Sequence, residues 1–371
     1  MFEPDDFGLS VPATMSHLAN PLPSRHHVPV WNTWAKALLS ETPRLAIWSG
    51  TPDPGDVTHT HAFESARHVR IGCRLLMPKG SPRAGLLALH GYAAPPPLAK
   101  EDDHWSPLVD RGVAVLAIRL RGYPGSLTDT GDWTGPSWLC RGLDVPTTSG
   151  AGDAADSTPS DLQAWSLVLG IADAVNGLRA LAHHLGLSVP LFLSGESFGA
   201  GLATIAAGLL VAHPQLGVKV SRLQISLPSL GDWTWRLAPD RAARSGGSQR
   251  EVVEMLTHHA RNASELVERL RVGDAAIHAQ RVECPVLCRL ARRDEVVPAP
   301  AAAAVFNALH TPPGQKWRFV TPYGHFDGGI RNARRHALFD RCALDFLDPN
   351  TDPLESMVKW QPLFTAGERL P

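Results

Sequence analysis

The sequence predicts an α/β fold built on a doubly wound, mostly parallel sheet with helices on both faces. Three observations carry this. Short, continuously apolar runs recur along the chain, helical stretches separate them, and a Gly-Glu-Ser-Phe-Gly turn joins one run to a small-residue helix. Runs that are apolar at every position suit strands covered on both faces. Strands that alternate with helices build a parallel sheet.

The elements follow in order. Residues 1 to about 29 are rich in Pro and His without periodicity, and read as an arm packed on the surface. Its prolines exclude a long helix. Residues 31–39 set Trp31, Trp34, Ala35, Leu38 and Leu39 on one stripe and predict a short helix. Strands are expected at 68–77, 85–90 and 113–118, then a loop over about 119–159 rich in Gly, Asp, Thr and Trp. A loop that long in a compact domain points to function. A helix is expected from Ser160 and Asp161 to about Leu185, where Gly186 stops it. Next come a strand at 190–194, a helix at 198–212 and a strand at 223–227. Charged helical sequence fills about 231–279 and reads as an insertion over one end of the sheet. Strands at 286–290 and 317–321, with helices at 299–309 and 332–346, complete the pattern. The expected organisation is an N-terminal arm and short helix (1–58), a core domain with its insertion (59–350) and a C-terminal tail (351–371).

Bulk properties narrow the function. The 371 residues are 44% hydrophobic, enough for a sizeable core, and carry a net charge of -1. No basic face points to nucleic acid or anionic lipid. The start, MFEPDDFGLS, lacks the basic and apolar regions of a secretory leader, and no run is long enough to span a bilayer. A cytoplasmic protein with no membrane or nucleic-acid partner is expected. Five cysteines (Cys73, Cys140, Cys284, Cys288 and Cys342) form no dense framework and read as structural thiols, with Cys284 and Cys288 on one face of a strand. The pairs His26-His27, His183-His184 and His258-His259 point in divergent directions on helices and read as surface residues rather than metal ligands.

The chemistry centres on Gly195-Glu196-Ser197-Phe198-Gly199. This G-x-S-x-G pattern, between a buried strand and a helix, is the nucleophile turn of α/β-hydrolases. Its sharp geometry lifts the serine Oγ above the sheet. A serine needs a base to take its proton, and this fold supplies serine, acid and histidine in that chain order. Asp294 follows the strand at 286–290, and His325 follows the strand at 317–321, both at carboxyl ends where ligands bind in open sheets. Glu295 beside Asp294, and Asp327 near His325, are rival acids; His310 reads as a charge partner for a helix C-terminus. An oxyanion hole needs two backbone donors. The Phe198 amide supplies one, and the loop His90-Gly91-Tyr92 the other, through the Tyr92 amide with Gly91 allowing close approach.

From about Arg70 to His325 the chain resembles the acetyl xylan esterases and cephalosporin C deacetylases, carbohydrate esterase family seven. The resemblance rests on His90-Gly91-Tyr92, Arg119-Leu-Arg-Gly-Tyr123, Arg141-Gly142-Leu143-Asp144, Leu227-Pro-Ser-Leu-Gly-Asp232-Trp, Cys284-Pro285-Val286-Leu287 with Asp294, and Tyr323-Gly324-His325. It implies Ser197 as nucleophile, Asp294 as acid, His325 as base, and Tyr92 and Phe198 as oxyanion donors. It also implies deacetylation of sugars and small esters without a metal, and a homo-oligomer. The sequence departs from the family in three places. Phe198 and Ala200 replace Gln and Gly after the serine, Arg121-Gly122-Tyr123-Pro124-Gly125 replaces R-G-Q-G, and Pro95-Pro96-Pro97 lengthens one loop. The expected function is a cofactor-free serine esterase acting on small-molecule acyl esters, acetyl esters of carbohydrate-like alcohols foremost. The alternatives are a hydrolase of a longer acyl ester, a thioester or an amide, which the apolar Phe198 suggests, and a non-catalytic binding protein on the same fold.

Overall fold

A computed structural model describes residues 7–48, 59–92, 100–126, 138–143, 161–244, 246–259, 262–322, 324–326 and 330–368. Asp144, Asp327, Tyr323 and the Pro95-Pro96-Pro97 segment lie outside the described residues, as does most of the loop expected at 119–159. Among the described residues one sheet contains β1 (Ala46–Ile47), β2 (His61–Ser65), β3 (Val69–Leu76), β4 (Ala84–Leu89), β5 (Val113–Ile118), β6 (Leu191–Glu196), β7 (Val220–Ser226), β8 (Val286–Ala291) and β9 (Lys316–Thr321). Their spatial order is β1-β2-β3-β5-β4-β6-β7-β8-β9. The strands from β4 to β9 pair in parallel, and β1, β2 and β3 extend the β5 edge antiparallel.

The continuous apolar runs are explained by two cores. In β4, Leu87 and Leu89 face one layer, while Ala84, Leu86 and Ala88 face the other. Successive side chains point to opposite faces, so a strand covered on both sides is apolar throughout. The larger core packs under helices His27–Leu39, Ser166–Leu185 and Phe198–Ala212. The second lies under helices Lys100–Val109 and Ile330–Phe346, and takes Met357, Trp360 and Phe364 from short helices near the C-terminus. The region between β7 and β8 folds into the helices Trp233–Arg236, Pro239–Ala242, Gly247–His258, Ala263–Leu270 and Ala275–Ala279. No helix among the described residues is long and apolar enough to cross a membrane.

The chain order reverses between β4 and β6. The path from β4 moves outward to β5, then returns to β6 on the other side of β4. Such a switch point opens a crevice at the carboxyl ends of the two strands. Here Leu89 of β4 pairs with Gly195 of β6, so the residues that follow each strand meet.

Four local expectations change. The helix expected from Ser160 begins at Ser166, after a single 3-10 turn over Asp161–Ala164. Trp165 is extended because its indole donates to Leu139 O at 2.6 Å, and the Ser166 amide donates to Arg141 O at 2.9 Å. The N-terminal helix starts a turn early, at His27, with Pro29 in its first turn, where a missing N–H leaves no helical bond unmade. Cys284 precedes β8 instead of sharing its face with Cys288. Cys73, Cys284, Cys288 and Cys342 are free thiols, and burial pushes the Cys284 thiol up to about 12. Finally, His26 and His27 are buried, not surface residues. His26 Nε2 lies 2.9 Å from Glu265 Oε1, and the His27 ring packs 4.7 Å from that of His278.

His27, His278 and His213 sit where the N-terminal helix meets the body of the protein. Burial, then the Arg281 and His213 charges, pulls His27 down to about 4. Burial also lowers His278 and His213. The unfolded chain titrates these groups near the ordinary histidine value of about 6.5. Their neutral burial is therefore fully stabilising above that pH and is lost as pH falls toward the folded-state values. For His27 the loss approaches roughly 3 kcal/mol. The urea midpoint is expected to fall between pH 7 and pH 5, and His27→Phe should flatten that dependence. An equally steep fall in the variant would place the pH-sensitive burial elsewhere.

Candidate active site

Ser197 occupies the turn between β6 and the helix Phe198–Ala212, with φ 54° and ψ -112°. A non-glycine residue pays roughly 1–3 kcal/mol to sit there, and does so only where its surroundings force it. The forcing contacts are visible. The Ser197 amide donates to Ser226 O at 2.7 Å, and its carbonyl accepts from Ser229 N at 3.1 Å and Ala200 N at 3.1 Å. A Cβ on Gly195 would lie 2.3 Å from Gly199 O, and one on Gly199 would lie 2.5 Å from Leu89 O. Both flanking glycines are thus required by close backbone approach. No side chain caps the helix at Ser197, so its first amides, Phe198 and Gly199, have no capping side chain.

Across the crevice, a Cβ built on Gly91 would sit 4.0 Å from Ser197 Cβ. The protein tolerates such a group sterically, but it would fill space directly beside the serine. His90 holds this loop. Its Nε2 accepts from Leu120 N at 3.2 Å, so the proton lies on Nδ1 and is donated to Gly91 O at 2.7 Å. Burial, then the Arg119 charge, drives the ring's pKa down to about 3, so this arrangement survives any working pH. Tyr92 is fixed at both ends. Its carbonyl accepts from Tyr123 Oη at 2.7 Å, and its hydroxyl donates to Glu251 Oε2 at 2.7 Å. The Phe198 ring is fully buried, edge-on to Tyr92 and Trp138, with centroids 5.0 and 5.2 Å away. It packs into the core against these two rings.

At the ends of β8 and β9, His325 Nδ1 lies 2.9 Å from Asp294 Oδ2 and 3.1 Å from Oδ1. Asp294 Oδ1 also accepts from the Val296 and Val297 amides at 2.8 and 2.7 Å, which aims the carboxylate. The rival Glu295 takes a different position. Its carboxylate accepts from the His325 backbone amide at 2.8 Å and does not meet the ring. A Cβ at Gly324 would come within 1.9 Å of Glu295 Oε2, so the glycine before the histidine makes room for this clamp. Among the described residues no hydrogen bond joins Ser197 Oγ to His325. Such bonds are commonly long in unliganded sites and tighten with substrate.

Burial opposes protonation of His325, but the attraction and hydrogen bond of Asp294, with a contribution from Glu196, outweigh it and raise the pKa above the ordinary value. Arg289 donates to Glu196 Oε1 at 2.6 Å and keeps that carboxylate beside the site. The loop after β7 is held by Asp274, which accepts from the amides of Asp232, Trp233 and Ala276. Asp232 in turn meets His17 Nε2 at 2.7 Å, so the N-terminal segment reaches this loop. Glu295, a rival acid in the sequence, is thus a structural support of the site, as are Arg289, Asp274 and Glu251, which the motifs did not single out. Of the last three, Asp274 carries a signal, as an Asp before the short helix Ala275–Ala279. Arg121, from one of the resembling segments, forms a buried ion pair with Asp173 and builds scaffold.

No sequence-family model and no curated protein matches the chain. Its structure is similar to solved α/β-hydrolases. An acetyl xylan esterase from Paenibacillus sp. R4 superposes with a TM-score of 0.65 at 19% identity, covering 90% of this chain and 99% of that one. Acetyl xylan esterase 1 from Thermoanaerobacterium sp. JW/SL YS485 gives a TM-score of 0.57 at 18% identity, covering 90% and 98%. An acylaminoacyl peptidase from Pyrococcus horikoshii gives 0.51 at 11% identity, covering 83% of this chain and 42% of that one. The chain therefore has the α/β-hydrolase fold. Its likeness to the two esterases extends over nearly their whole lengths.

Two outcomes are expected. If His325 acts as a base, kcat/KM should rise with pH along an acid limb centred above the ordinary histidine value, because the imidazole must first lose its proton. Glu196→Gln should move that limb to lower pH, and an unmoved limb would show that its charge does not reach the base. Glu295→Ala should lower kcat on the order of 10–100-fold by loosening the His325 backbone, with Asp294 untouched. Wild-type kcat in that variant would reduce the clamp to a packing contact.

Proposed function

We propose that this chain is a serine esterase that hydrolyses small acyl esters, acetyl esters of carbohydrate-like alcohols foremost. The reading is supported by the strained Ser197 turn beside the Gly91 loop and by the Asp294–His325 pair at the ends of β8 and β9. Ser197 Oγ attacks the ester carbonyl while His325 takes its proton. The Tyr92 and Phe198 amides hold the oxyanion. The alcohol departs with the proton from His325, and a water activated by the same ring releases the acid and restores the serine. Asp294 keeps the ring oriented with its Nδ1 proton inward. These steps use only side chains, amides and water. The acetyl preference is supported by the likeness to two acetyl xylan esterases.

Hydrolysis of p-nitrophenyl acetate, butyrate and octanoate by the wild type and Ser197→Ala tests the reading. Acetate should be turned over fastest, and the variant should lose at least about 10³-fold. Retained turnover in Ser197→Ala would overturn the nucleophile assignment. A preference for octanoate would overturn the acetyl assignment alone.

A further inference from the structure

Phe326 follows the proposed base directly and differs from the other aromatic residues of the chain. It is 60% exposed, whereas every other described Phe, Tyr and Trp is buried or half-buried. Apolar side chains exposed singly are ordinary on protein surfaces. This one is set apart by what it touches. Its ring packs edge-on to the His325 imidazole, with centroids 5.0 Å apart and planes at 75°. We propose that Phe326 is a specificity-determining residue that packs against the leaving alcohol and favours one carrying a flat apolar group. The inference rests on the esterase reading, which makes His325 the base, and deepens it on the alcohol side.

The backbone that carries the ring is fixed together with that of the base. Glu295 Oε2 accepts from the His325 amide at 2.8 Å, and Oε1 of the same carboxylate accepts from the Phe326 amide at 3.4 Å. Gly324 lets the chain run close to that carboxylate on the other side of His325. One side chain thus sets the place of the base and of the ring beside it. A wall that is already in place costs a ligand little ordering, so its contact area is realised as binding.

The position suits the alcohol rather than the acyl group. His325 Nδ1 is turned to Asp294, so Nε2 is the nitrogen left to exchange protons. In the proposed reaction the departing oxygen takes that proton, and must lie within hydrogen-bond reach of the imidazole when it does. The acyl carbon, by contrast, stays bonded to Ser197. The His325 side chain is only 7% exposed, and Phe326 stands at the surface against it, so the phenyl ring borders the outward side of the base. Covering an exposed aromatic ring with a second flat apolar group is favourable through the area removed from water and through ring geometry. A short open-chain alcohol covers less of it.

The test uses the full chain. Benzyl acetate against ethyl acetate reads the alcohol side, and p-nitrophenyl acetate against p-nitrophenyl butyrate reads the acyl side. The variants are Phe326→Ala, which removes the ring, Phe326→Tyr, which keeps it, and Ser197→Ala, which reports serine dependence. In the wild type kcat/KM should favour benzyl over ethyl acetate by at least about tenfold. Phe326→Ala should lower that ratio about tenfold, mainly through KM for benzyl acetate, and Phe326→Tyr should keep it at the wild-type value. The acetate-to-butyrate ratio should stay within about twofold of the wild type in both. If Phe326→Ala fails to fold, Phe326→Leu decides, since it keeps bulk without the ring. An unchanged benzyl-to-ethyl ratio would overturn the proposal. An equal loss of kcat on every ester would also overturn it, because it marks a ring that only steadies His325. So would a shift in the acetate-to-butyrate ratio alone, which places the ring on the acyl side. No serine-dependent turnover of any ester would overturn the esterase reading and this inference with it. Serine-dependent turnover with the alcohol ratio unmoved would overturn the inference alone.

Discussion

The candidate site depends on how closely the turn carrying Ser197 approaches the ends of β4 and β7. Gly199 lies against the Leu89 and His90 carbonyls, and the Ser197 amide is taken by Ser226 O. With both neighbours this near, the backbone at position 197 has no relaxed alternative, and the left-handed conformation is imposed from outside. The same approach brings Gly91 to the serine, because the residue after β4 follows directly on the carbonyls that Gly199 touches. The proposed nucleophile and the proposed oxyanion loop are therefore not two independently placed features. They are consequences of one packing contact at the point where the chain order reverses, and loosening it would disturb both.

The electrostatics are built on a conflict that the surroundings resolve. Burial favours a neutral imidazole, which is what a general base must be at rest. Asp294 and Glu196 favour the imidazolium, which is what the base becomes once it has taken a proton. The balance leans toward the charged form, so the ring is a willing proton acceptor while its resting protonation is pushed toward higher pH. Arg289 moderates the lean, since it engages Glu196 and also opposes the His325 charge. Glu295 stays out of this balance by binding backbone amides, which explains how two adjacent carboxylates coexist here without competing for the ring.

The fold was legible because its signals are local or periodic. Runs such as Val113-Ala-Val-Leu-Ala-Ile118 are buried on both faces and had to be apolar throughout. The serine turn was legible because close approach demands glycines at fixed offsets from position 197. The supporting residues were not, because their partners are remote in sequence. Glu251 meets Tyr92 across 159 positions, and Arg289 meets Glu196 across 93. A charged residue in an amphipathic helix such as Gly247–His258 looks like a solvated one until its partner is known. His27 misled for a related reason: adjacent histidines do diverge, but here both directions point into protein. The start of the helix at Ser166 was hidden because Leu139 and Arg141, far back in the preceding loop, hold Trp165 extended.

The insertion between β7 and β8 meets the Tyr92 loop through Glu251. Glu251 receives the Tyr92 hydroxyl, and Tyr92 also holds the Leu139 amide and the Tyr123 hydroxyl. Burial raises the Glu251 carboxyl to about 7, so its charge changes in the neutral range. A hydrogen bond to an ionised carboxylate is stronger than one to its protonated form. Rising pH therefore tightens the loop that carries the Tyr92 amide, in the same direction in which it deprotonates the His325 ring, the proposed base. Glu251 and His325 thus respond to pH together, and the insertion takes part in that response without supplying an atom to the proposed reaction.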